Sequence, residues 1–166
     1  FFMARFKMHP FISTMANMLI IFGLVTYATK GVSFGAIDPA IPNIFIPKAG
    51  RFPMIILWAI IAVVVVWFIW NKTTFGKNLY AVGGNPEAAT VSGISVFKVT
   101  MGAFIMAGIL YGFGSWLECL RMVGSGSAAY GQGWDMDAIA ACVVGGVSFT
   151  GGIGKISGVV TGVLIF

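Results

Sequence analysis

Ile55-Ile56-Leu57-Trp58-Ala59-Ile60-Ile61-Ala62-Val63-Val64-Val65-Val66-Trp67-Phe68-Ile69-Trp70 runs without a charge, a hydroxyl, a glycine or a proline. In water, the four successive valines Val63 to Val66 would favour a strand. Lipid reverses that preference, because a lone strand leaves its N–H and C=O groups without partners while a helix satisfies its own backbone. Extended to Phe52 and Asn71, where charged residues follow on either side, the segment supplies the roughly 20 apolar residues that cross about 30 Å of hydrocarbon. A transmembrane helix is predicted here.

Two further uncharged stretches of similar length flank it, Phe11 to Thr29 and Val99 to Leu117. The composition agrees. Hydrophobic residues make up 58% of the 166 and charged residues 9%, against about 25% charged in a water-soluble domain. Mean hydropathy is +0.96. Such a chain has too little polar surface to enclose a core in water, and too much apolar content to be disordered. The net charge of +5 comes from basic residues scattered singly. No stripe suited to nucleic acid is present, and these residues read as membrane-edge anchors beside anionic lipid. Cys119 and Cys142 belong to no CxxC or Cys/His cluster and read as small buried hydrophobes. His9 stands alone beside Pro10, so no metal site is expected.

The remaining segments are less regular. Ala138 to Gly154 is uncharged but interrupted by Gly145-Gly146 and Gly151-Gly152. A glycine pair costs about 2 kcal/mol relative to alanine in a helix interior, so a helix from near Asp137 to Val144 is predicted to break there. Broken helices at membrane depth occur only where protein or a water-filled cavity covers the freed backbone. Another apolar run opens at Ile156. Between Gly31 and Gly50, Pro39, Pro42 and Pro47 forbid one continuous helix, leaving an extended cover or a short re-entrant piece. The spacings Gly108/Gly112, Gly154/Gly158 and Gly158/Gly162 favour close helix contact. The start at Phe1-Phe2-Met3 and the end at Phe166 within an apolar run point to a piece of a longer polypeptide.

Between the second and third spans lies Thr73-Thr74-Phe75-Gly76-Lys77-Asn78-Leu79-Tyr80-Ala81-Val82-Gly83-Gly84-Asn85-Pro86-Glu87-Ala88-Ala89-Thr90-Val91-Ser92-Gly93-Ile94. Asn85 suits an N-cap, Pro86 the first helical position, and Glu87 the positive helix end. Gly93 suits a left-handed C-terminal position. The result is a helix of about two turns, too short to persist alone in water. It needs a surface to lie against, and its small Ala88-Ala89 face suits a groove in another protein.

The run Gly83 to Ala89 followed by Val91-Ser92-Gly93-Ile94 resembles the cytoplasmic coupling loop of permeases from monosaccharide ABC importers, the ribose, xylose and galactose group, with the galactose branch nearest. A second stretch, Asp135-Met136-Asp137-Ala138-Ile139-Ala140-Ala141-Cys142-Val143-Val144-Gly145-Gly146-Val147-Ser148-Phe149-Thr150-Gly151-Gly152, is similar to that family's late signature, in the expected order. The strong likeness covers Thr73 to Phe166. The resemblance implies an all-α, polytopic transmembrane bundle, part of a permease of roughly ten helices, with broken or re-entrant segments. Residues 1–166 would be a partial permease domain, with spans near 11–29, 52–71 and 99–117, a broken segment at 138–154, a truncated span from 156, and a cytoplasmic coupling loop at 72–98. It implies a multi-pass protein of the bacterial cytoplasmic membrane that forms a homodimer, receives sugar from a periplasmic binding protein and engages a cytoplasmic ATP-binding subunit. Hydrolysis would reside in that subunit, leaving this chain without catalytic residues or cofactor. Gly84, Asn85, Pro86, Glu87, Ala88 and Ala89 would carry the coupling. Charge bias between the loops is too even to orient the chain; the resemblance puts the Asn85 helix inside.

Other residues admit two readings each. Asp135 and Asp137 fit either capping and packing at a helix start or a place on the permeation path. Trp116 and Trp134 fit either bilayer-edge anchoring or stacking against sugar. Trp67, Trp70 and Tyr80 read as interface anchors, and Glu118 with Arg121 as an i,i+3 pair. Gly154-Lys155 is no P-loop, since Ile156 stands where Ser or Thr is required and Phe149 where Gly is. Two other classes compete: an ion-driven secondary transporter, which needs ionisable residues inside its spans, and a non-transporting membrane assembly scaffold built on Gly-xxx-Gly faces.

Overall fold

A computed structural model describes residues 10–33, 35, 40–45, 48–49, 52–122, 126–127, 129–148 and 150–165. Arg5, Lys7, His9, Pro39, Pro47 and Phe149 lie outside the described residues. Among the described residues the regular elements are helices, apart from a minimal hairpin. In order come α1 (Pro10–Thr29), α2 (Ala40–Phe45), the strands β1 (Lys48–Ala49) and β2 (Phe52–Pro53), α3 (Ile55–Lys72), α4 (Thr74–Gly84), α5 (Pro86–Val91), α6 (Val96–Arg121), α7 (Trp134–Val144) and α8 (Ile156–Ile165). β1 and β2 pair antiparallel, Lys48 opposite Pro53 and Ala49 opposite Phe52.

Among the described residues, three helices are long and apolar enough to cross a membrane: Phe11–Thr29 within α1, α3, and α6. At about 1.5 Å per residue, the 18 residues of α3 reach roughly 27 Å. No residue of the membrane-length stretches of α1 and α3 is buried within the chain, and only 6% of that of α6 is. An aqueous fold could not leave Ile60, Val64 and Phe68 all this open; lipid and neighbouring helices are the solvent for these faces. α6 runs a turn past the predicted 99–117 in both directions, since Lys98, Glu118 and Arg121 end the uncharged run without ending the helix. Cys119 is exposed and Cys142 half-buried, where both were expected to be buried.

Two compact units can be distinguished. The first comprises Phe1–Ile61 with Ile105–Tyr130. Its described packing centres on aromatic rings: Phe45 meets Trp116 edge-on at 5.0 Å, and Phe113 lies 5.7 Å from Trp58 and 6.0 Å from Trp116. The Trp58 indole donates to the Phe45 carbonyl at 3.0 Å. Among its described residues, the segment expected to be an extended or re-entrant cover holds the short helix α2, whose last residue is anchored by that bond. Arg121 Nε donates to both Glu118 carboxylate oxygens at 3.0 and 2.9 Å, the predicted i,i+3 pair. Tyr130 joins them, its hydroxyl donating to Glu118 Oε1 at 2.7 Å. That bond to a carboxylate holds the Tyr130 hydroxyl above the ordinary phenol range.

The second unit comprises Ala62–Phe104 with Gly131–Phe166. Within it α7 and α8 pack antiparallel through small residues. A methyl group on Gly158 would strike the Gly145 carbonyl oxygen, and one on Gly162 the Ala141 carbonyl oxygen. Ala141 is 3% exposed. Of the predicted glycine spacings, Gly158/Gly162 therefore sits at a helix contact. Gly108 and Gly112 meet nothing within 4 Å among the described residues. At 11 residues, α7 reaches roughly 16 Å, short of a bilayer's hydrocarbon thickness.

Candidate functional site

The loop between α3 and α6 carries two helices where sequence reasoning gave one. Thr73 makes the first turn back. Its hydroxyl donates to the Ile69 carbonyl at 2.6 Å and accepts from the Gly76 amide at 3.3 Å, so one side chain closes α3 and caps α4. The return is so tight that a methyl group on Gly76 would collide with the Trp70 carbonyl. Lys72 sits 6.0 Å over the Trp67 ring at the end of α3, within cation–π reach.

Asn85 makes the second turn. Its backbone is extended (φ −152°, ψ 103°), its amide donates to Ala81 at the end of α4, and its side-chain oxygen accepts from the Glu87 and Ala88 amides, both at 3.0 Å. One residue therefore ends α4 and starts α5, with Pro86 in the first turn and Glu87 complementing the positive helix end. At the far end Gly93 adopts φ 79°. The Gly93 amide donates to Thr90 and the Ile94 amide to Ala89, the two bonds of a Schellman stop. Asn85→Ala is expected to destabilise α5 by about 1 kcal/mol, read as faster amide hydrogen exchange at Glu87 and Ala88.

Exposure revises the expected docking face. Ala89 is 4% exposed and turned into its own unit, so it seats α5 against the chain and does not present a surface. Pro86, Glu87, Ala88 and Thr90 face outward. Val91, 89% exposed, ends the helix. Sequence reasoning included Val91 in the motif but not among the site residues. A bare apolar side chain beside a helix stop was the signal available.

Gly83 and Gly84, the last residues of α4, lie against Gly151 and Gly152 in the loop after α7. A methyl group on Gly83 would come within 2.7 Å of the Gly152 amide nitrogen, and one on Gly152 within 2.7 Å of the Gly84 Cα. Gly151 and Gly152 also hold φ 92° and 73°, which non-glycine residues rarely adopt. The Tyr80 hydroxyl donates to the Gly154 carbonyl at 2.8 Å. Tyr80, expected to be a membrane-edge anchor, is thus an internal tie. Beside it lies an open groove of about 410 Å³ lined by Tyr80, Gly146, Gly152, Lys155 and Ser157 among others.

The path candidates distribute as follows. Trp116 belongs to the first unit, 39% exposed, edge-on to Phe45 and tilted against Phe113. Trp134, 52% exposed, and the two aspartates belong to the second. The cap of α7 is Gly133 in a left-handed conformation, with no side-chain cap bond. Asp135 is therefore not the cap that sequence reasoning considered. It lies inside the first turn with Asp137, where carboxylates favour the helix dipole. Among the described residues no three His, Cys, Asp or Glu side chains converge as a metal site.

Comparison with known proteins follows the same outline. The chain is 54% identical over 178 aligned positions to the galactose/methyl galactoside import permease of Treponema pallidum, covering 100% of this chain and 33% of that protein. It is 44% identical to the Escherichia coli galactose/methyl galactoside import permease over 170 positions, 98% of this chain and 50% of that one. To the Escherichia coli L-arabinose transport system permease it is 35% identical over 165 positions, 99% of this chain and 50% of that one. The chain spans a third to a half of the length of these relatives. No solved structure matches it. The family model for the branched-chain amino acid transport system permease component matches residues 1–166. With three membrane-length helices among the described residues, this is a multi-pass protein of the bacterial cytoplasmic membrane. The chain belongs to the transport-system permease family whose members include these sugar-import permeases.

Proposed function

We propose that this chain is the portion of a sugar-import permease that bears the contact for a cytoplasmic ATP-binding subunit and part of the translocation path. Residues 72–98 form the cytoplasmic coupling loop, and the rest is permease domain, working as a homodimer that takes sugar from a periplasmic binding protein. Galactose is the first substrate to test, following the named activity of the most similar relatives reported above. ATP is hydrolysed in the partner, and its closure moves α5, biasing the permease between outward- and inward-open states. Asp135, Asp137, Trp116 and Trp134 remain the path candidates.

The observation that carries this reading is α5 itself. It is a two-turn helix stopped at both ends, with Ala89 turned inward and Val91 left 89% exposed, lying in sequence between two membrane-length helices. A helix so short persists only when held at its base, and its bare outer face fits a shallow groove. The secondary-transporter reading is disfavoured, since the charges on α3 and α6 lie at their ends, Lys72, Lys98, Glu118 and Arg121. Val91→Ser tests the reading. Because Val91 is 89% exposed among the described residues, the variant should fold normally. Losing the burial of a valine on docking, about 1.5 kcal/mol, should weaken co-purification of the ATP-binding subunit roughly tenfold. Unchanged affinity would mean that this face is not the contact.

A further inference from the structure

We propose that the glycine seam of Gly83-Gly84 against Gly151-Gly152, pinned by the Tyr80 hydroxyl, transmits displacement of α5 into the α7–α8 segment, with Tyr80 and Gly83 as positioning residues for transport. This rests on the reading of α5 as the ATPase contact. The seam has no side chains on either side, so there are no rotamers to absorb a push. The Gly83 position stands 2.7 Å from the Gly152 nitrogen, and the Gly151 position 3.2 Å from the Gly83 oxygen, when a methyl group is placed on each. With no room for even a methyl group between them, the two backbones lie directly against each other, and packing of this kind passes strain on.

Both sides of the seam are stiff where stiffness is needed. On one side Asn85 binds α5 through its side chain and α4 through its amide, so α5 and the end of α4 move together. On the other, the Gly146 and Val147 amides close α7 by donating to Val143 and Cys142, and the Ser148 amide donates to the Ile153 carbonyl across the loop. The loop is therefore fastened to α7 at its start and runs into α8 at Ile156. The Tyr80–Gly154 bond fixes the two sides in register. α7 and α8 interlock through Ala141, Gly145, Gly158 and Gly162, so a push on the loop moves the pair as one body.

The test uses the intact transporter in lipid, with Cys119 and Cys142 replaced by serine and a spin label at Lys155→Cys, an exposed position at the loop's end. ATP with vanadate is added, and the change in label mobility is recorded alongside the amount of ATP-binding subunit retained. In the parent protein the label should respond to nucleotide. Gly83→Ala and Tyr80→Phe should each retain the subunit fully but reduce the response at least fivefold. Tyr80→Phe preserves volume and keeps the test valid if Gly83→Ala fails to fold. A label that ignores nucleotide in the parent, or responds fully in Tyr80→Phe, would overturn the proposal. Failure of the underlying reading looks different: the variant lacking Pro86 to Ala89 would then still retain the ATP-binding subunit.

Discussion

Deleting Pro86 to Ala89 is expected to cut recovery of the ATP-binding subunit below a tenth and to abolish sugar import, while the permease still inserts at normal levels. The two halves of this expectation have separate causes. Insertion depends on hydrophobic length, which α3 and α6 retain. α4 keeps its own cap at Thr73, and α6 begins downstream at Val96. The deletion removes both amides bonded to the Asn85 side chain, the inward-facing Ala89, and the Ala89 carbonyl that receives Ile94. Thr90 and Val91 then have no helix to belong to, and Val91 loses its fixed position. Membrane-fraction immunoblots, subunit co-purification and labelled galactose uptake measure the three quantities independently. Import that survived the deletion would remove α5 from the transport cycle.

The contrast between α5 and α4 shows what local sequence can specify. Asn85, Pro86 and Gly93 act within a few residues of themselves, so the start and stop of α5 can be read from composition and spacing. α3 is equally plain, because hydrocarbon leaves its residues no other structure. α4 was hidden. Gly76, Gly83 and Gly84 count against a helix by propensity, yet each is in α4. Gly76 is required by the Trp70 carbonyl and Gly83 by the Gly152 amide, a partner far along the chain that no local pattern announces. The start of α7 failed in the other direction. Asp135 is a good cap by type, but left-handed Gly133 already turns the chain two residues earlier. The ring contact of Phe45 with Trp116 likewise depends on packing that residue type alone does not reveal. The bounds of α5 were therefore legible from its residues, and the orientation of its faces was not.

Gly162→Leu is expected to separate α7 from α8 and to reduce import at least tenfold, with a lower temperature of heat-induced aggregation for the intact transporter. In lipid no hydrophobic force draws two helices together, so their association depends on close contact between small residues. At Gly162 the obstacle is the Ala141 carbonyl oxygen, which is the acceptor for the Gly145 amide at 2.9 Å. That oxygen cannot swing aside without giving up a bond that ends α7. Relief must come from moving α8 outward, and a gap of even 1 Å forfeits a quarter to a half of the dispersion energy along the contact. Overpacking of this kind costs about 1–3 kcal/mol in a core where side chains can adjust; here the colliding group is backbone, so the cost should lie at or above the upper end. The same reasoning makes Ala141→Gly a poor suppressor, because trimming that side chain leaves the oxygen in place. If Gly162→Leu with Ala141→Gly regained import, the contact would be one of side chains, and α7 with α8 would not act as a single backbone-locked body.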